Sequence, residues 1–86
     1  MGKNFETFKT INMGLAITLM SVGFALMALE EAGGRRKEFI FLDAPGLQDT
    51  IAKFWAKELL IEPQGFINNE RELKSRLYGP KENNAK

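Results

Sequence analysis

The chain has 86 residues, 44% hydrophobic and 27% charged, with 12 Lys and Arg against 11 Asp and Glu for a formal net charge of +1. Such a balance supplies no bulk field for nucleic acid. With 0 Cys and 0 His, disulfides, thiolate metal sites, iron–sulfur ligation, ordinary haem or zinc ligands and Ser-His or Cys-His nucleophile pairs are excluded, and no catalytic, cofactor-binding or metal-ligating residue can be assigned.

Residues 1–9 read as a short polar N-terminus containing Lys3 and Lys9. Gly2 invites N-myristoylation, but Glu6 stands where that motif wants Ser or Thr. From Ile11 to Leu29 run 19 residues without charge or proline. As a helix they would span about 28 Å, close to the ~30 Å hydrocarbon core of a bilayer, which predicts a single transmembrane helix over about 10–30. The alternative, a helix wrapped by its own domain, asks much of the short charged chain that follows. A cleaved signal peptide would have a shorter apolar stretch and a small-residue exit site. The eight Leu, Ile, Val and Phe residues of the run favour insertion by roughly 2–5 kcal/mol, and Asn12, Gly14, Thr18, Ser21 and Gly23 work against that sum. Gly14, Thr18, Ser21, Ala25 and Ala28 recur in steps of four and three, so in one helix they form a small-residue seam suited to another helix.

Ala32-Gly33-Gly34 then reads as a flexible stop, and Arg35, Arg36 and Lys37 as contacts to headgroups, with anionic lipid as their natural partner. The basic residues lean the C-terminal arm toward the cytoplasm-like or matrix side. Phe39-Ile40-Phe41-Leu42 is an apolar run closed by the turn signal Asp43-Ala44-Pro45-Gly46. Leu47, Ile51, Phe54, Trp55 and Leu59 share one helical face, predicting an amphipathic helix over about 45–61 that ends before Pro63. Its polar face mixes Asp49 and Glu58 with Lys53 and Lys57, which favours docking on protein over lipid. Asn69 and Glu72 resemble a capping box that opens a short helix over about 69–78, with Phe66 as a staple and Gly79-Pro80 as its stop. Glu70/Lys74 and Glu72/Arg76 sit at i, i+4 as ordinary helix support.

The expected fold class is therefore all-α: one transmembrane helix, then an extramembrane arm over 31–86 with two short helices and no independent globular core. Phe39, Phe41, Leu47, Ile51, Phe54, Trp55 and Leu59 are the candidate partner-docking residues, because so small an arm cannot hide them alone.

This layout resembles the small single-pass supernumerary subunits of mitochondrial respiratory-chain complexes, over the whole chain in architecture but without a family motif matched residue by residue. The resemblance implies a non-catalytic accessory subunit of the mitochondrial inner membrane that supports assembly and stability of a large energy-converting complex, with any cofactor held by its neighbours. The expected partners are larger membrane-protein subunits and the lipid bilayer, with no nucleic acid and no small-molecule substrate. ATP synthase and thylakoid complexes use similar subunits, and a single-pass regulatory micropeptide of a transporter or pump would use the same seam.

Overall fold

Two residues inside the uncharged run, Asn12 and Gly23, decide its structure. In the computed structural model, which describes residues 6–34 and 36–78, a first strand, β1 (Thr7–Thr10), leads into Asn12. The Asn12 side chain accepts a hydrogen bond from the Leu15 N–H at 3.0 Å and so caps a helix, α1 (Met13–Val22). This helix has only 10 residues and is about 15 Å long. It stops at Gly23, whose φ of 119° is left-handed. The Gly23 N–H donates to the Met20 carbonyl at 3.1 Å and the Phe24 N–H to the Leu19 carbonyl at 2.9 Å, the paired bonds of a Schellman ending.

The rest of the uncharged run becomes part of a second strand, β2 (Leu26–Glu31). The chain reverses through Ala32–Arg36 and returns as β3 (Lys37–Leu42). Both β1 and β2 pair antiparallel with β3, giving a three-stranded sheet of order β1-β3-β2. The β1–α1–β2 crossover thus leaves a central place that β3 fills. Phe8 opposes Phe41, Thr10 and Leu29 both oppose Phe39, and Leu26 opposes Phe41. These residues share the sheet face turned to α1, while Lys9, Ala28 and Ile40 point to the other face. A bulge at Met27 shifts the β2 register and roughens that edge strand.

Two further helices, α2 (Leu47–Trp55) and α3 (Pro63–Tyr78), pack against α1. Leu15, Ala16, Ile17, Thr18 and Leu19 are all buried, so α1 is enclosed on every side. Phe39 and Phe41 of the sheet, Leu47 of α2 and Leu73 of α3 complete the core. Its polar atoms are satisfied locally: Thr18 donates to the Gly14 carbonyl and Ser21 to the Ile17 carbonyl, each at 2.8 Å. The Asn69 amide of α3 then donates to the Ser21 hydroxyl at 3.1 Å.

This small α/β fold corrects the all-α reading and its transmembrane helix over 10–30. The run is divided between a capped helix and part of a strand, because Asn12 and Gly23 are terminators rather than insertion costs. No helix of the described residues is long and apolar enough to cross a membrane. The single-pass description and the integral-membrane location, with the mitochondrial inner membrane and its orientation, are withdrawn on that finding. The expected lack of a globular core is also corrected, since α1 supplies the centre that helices two and three lacked. The helix placed at 45–61 occupies Leu47–Trp55, and the one placed at 69–78 starts earlier, at Pro63. Of the predicted N-terminal segment, Thr7–Lys9 lie in β1. Gly2 and the stop at Gly79-Pro80 fall outside the described residues.

Candidate docking surface

The end of α2 is shaped by a residue in an unusual conformation. Lys57 has φ 63°, the left-handed region normally left to glycine. Its N–H donates to the Phe54 carbonyl at 3.1 Å and the Glu58 N–H donates to the Lys53 carbonyl at 2.9 Å. This repeats at α2 the Schellman ending that Gly23 gives α1, with lysine in the glycine position. The chain then runs through Glu58–Ile61 and enters α3 at Pro63, whose missing N–H is harmless at a first helical position. Glu62 caps that helix, its carboxylate accepting from the Gln64 N–H at 3.0 Å and the Gly65 N–H at 2.7 Å.

Between these two helix ends, Leu59 and Ile61 line an open groove of about 320 Å³ with Thr18, Phe54 and Lys57. Leu60, between them, is 94% exposed. Trp55 is 60% exposed and meets Phe54 edge-on, with ring centroids 4.9 Å apart. Apolar side chains thus lie in the groove and also beside it in solvent. Lys53 is paired with Asp49 at 3.4 Å, whereas Lys57 has no ion pair among the described residues.

The candidate docking residues of the sequence divide into two groups. Phe39, Phe41 and Leu47 are buried in the chain's own core, and Ile51 packs against it. Phe54, Trp55 and Leu59 are at the groove or next to it. The seam is also divided: Gly14, Thr18 and Ser21 are in α1, Ala25 is in the loop after it and Ala28 is in β2. Ser21 meets α3 of the same chain. Lys37 is held by Glu31 at 2.6 Å, Arg36 is exposed at the hairpin, and Arg35 is outside the described residues.

Leu60 was not singled out by sequence, and Lys57 entered only as one charge on the polar face of the amphipathic helix. A signal for Leu60 existed: Leu59-Leu60-Ile61 is an apolar run just before a proline, and in extended chain alternate residues face opposite ways, so one cannot follow its neighbours inward. Lys57 carried none, because nothing about a lysine announces a left-handed backbone.

A second concavity, of about 230 Å³, opens where the β2–β3 hairpin meets the last turn of α3. Ile11, Met13, Phe39 and Leu77 form its apolar wall, with Arg36, Lys37 and Tyr78 around it. No cluster of three or more acidic side chains that could hold a metal ion occurs among the described residues.

The described residues thus form a mixed sheet-and-helix domain with an open groove beside the end of α2. Residues 5–79 match the family described as a domain of unknown function (DUF5659), and the chain belongs to that family. No curated protein and no solved structure matches it.

Proposed function

We propose that the chain is a non-catalytic binding module that docks on a larger protein through the groove that the end of α2 and the segment after it form against Thr18 of α1. The reading keeps the accessory, non-catalytic part of the sequence expectation. The respiratory-complex, ATP-synthase, thylakoid and transporter settings rested on a membrane span that the fold divides, so they lose their motivation.

The observation that carries the proposal is Leu60, 94% exposed beside a groove lined by Phe54, Leu59 and Ile61. Single exposed apolar residues are ordinary, but Trp55 and Leu60 fall within six residues of chain that also include the groove residues Lys57 and Leu59. Covering them with a partner removes apolar surface from water that the fold itself leaves wet. The complementary partner presents an apolar side chain to the groove and a carboxylate to Lys57.

The test is quantitative binding to the protein that co-purifies with the tagged chain, comparing wild type with Trp55→Ala, Leu60→Ser and the double variant. Each truncated anchor should cost roughly 2 kcal/mol of binding, about thirtyfold in affinity. Fold stability should change by less than about 1 kcal/mol, because both side chains are largely in solvent. The single tryptophan gives a second readout: its emission should move to the blue when the partner binds. Equal affinity of wild type and double variant would contradict the assignment.

A further inference from the structure

We infer that the cleft between the β2–β3 hairpin and the end of α3 binds a small amphiphilic anion, a carboxylate on a short alkyl or aryl body. This site is independent of the docking groove and shares no lining residue with it.

The charge of the lining selects the ligand's sign. Among the described lining residues Arg36 and Lys37 are both present and no carboxylate is, although Glu31 lies nearby. Glu31 is spent on Lys37, at 2.6 Å. That contact holds the ammonium in place and leaves Arg36 as the cation of this cleft that has no ion pair among the described residues. The Arg36 backbone is fixed at both ends of the residue: its N–H donates to the Gly33 carbonyl and its own carbonyl accepts from the Ala32 N–H, each at 3.1 Å. Gly33 at φ 105° and Gly34 at φ 59° shape the turn that allows this. A guanidinium on an anchored backbone, with its planar fork in solvent, matches a carboxylate.

The wall selects the body of the ligand. Ile11 is 49% exposed and Tyr78 55% exposed, so the described residues leave apolar surface next to the cation uncovered. Met13 and Leu77 continue that surface down to Phe39 in the core. The Tyr78 hydroxyl adds a donor. A volume of about 230 Å³ corresponds to roughly eight waters of bulk liquid and falls below the usual range for drug-sized pockets, so the fitting body is a short one.

The experiment is titration of the isotopically labelled chain with octanoate, octylammonium and octanol, followed by amide and methyl chemical shifts. Octanoate should give saturable shifts at Ile11, Met13, Arg36, Leu77 and Tyr78, leaving Trp55 and Leu60 unmoved. Octylammonium should give none, and octanol should bind at least about tenfold more weakly than octanoate. Arg36→Ala, at an exposed position, should reduce octanoate affinity about tenfold while the rest of the spectrum stays that of the folded chain. The inference is overturned if octanol or octylammonium binds as well as octanoate, if Arg36→Ala binds octanoate normally, or if octanoate produces no saturable shift in the cleft. Because the reporter residues differ, failure here leaves the docking proposal standing, and the reverse also holds.

Discussion

Gly23 and Lys57 occupy the same left-handed position at the ends of α1 and α2, and they predict opposite mutational outcomes. At Gly23, φ is 119° and no atom lies within 4 Å of where a Cβ would be, so the cost of a side chain there is conformational rather than steric. Gly23→Ala should destabilise the fold by about 1–2 kcal/mol. Lys57→Gly relieves the equivalent strain and should stabilise by about 0.5–1 kcal/mol, while losing the cation that the docking proposal sets against a partner's carboxylate. Urea unfolding midpoints of the two variants, moving in opposite directions, check both expectations. Gly23 and Asn12 were visible in the sequence. Within an uncharged run of bilayer length, however, a cap and an αL glycine look the same as polar residues that make insertion less favourable. Length and charge carry no information about backbone conformation, and here conformation decided the matter.

At the scale of elements, the helices were more legible than the strands. Leu47 and Ile51 share a face of α2 as its apolar period predicts, although that face packs on the chain's own core instead of a partner, and the Glu70–Lys74 and Glu72–Arg76 pairs form at 3.3 and 2.9 Å. The start of α3 was missed because its first turns, Pro63 to Asn69, carry few apolar residues, and a proline that ends one helix can equally open the next. Asn69 is then no cap but a mid-helix donor to Ser21. Glu62→Ala removes the true cap and should cost about 1 kcal/mol, with increased amide exchange confined at first to Gln64 and Gly65. The strands had no comparable local mark. β1 is four residues long, and the Leu26–Leu29 part of β2 lies inside the uncharged run, so neither shows the alternation that identifies a strand. Their stability comes from β3, whose residues are distant in sequence, and a single chain read locally does not display that pairing.

For the whole molecule, α1 explains both the error and the fold. A helix apolar on every face belongs either in lipid or at the centre of a domain. Here the sheet, α2 and α3 together enclose it within a chain of 86 residues. The enclosure turns Phe39 and Phe41 from docking candidates into core residues. Phe41 is 0% exposed, and Phe41→Ala should cost about 3–5 kcal/mol, a large share of the stability of a domain this size. Ser21→Leu acts at the α1–α3 contact within the chain and should destabilise it by about 1–3 kcal/mol, read as a lower thermal midpoint. The docking groove and the hairpin cleft both depend on this enclosure, since each is bordered by residues that would be far apart if Ile11–Leu29 were one helix.

The most direct measurement is therefore the pattern of nuclear Overhauser contacts across residues 11–29 in the purified, labelled chain. The fold predicts helical i, i+3 contacts from Met13 to Val22 that stop at Gly23, with cross-strand contacts joining Leu29 and Thr10 to Phe39. Unbroken helical contacts from Asn12 through Leu29, without those cross-strand pairs, would contradict the account.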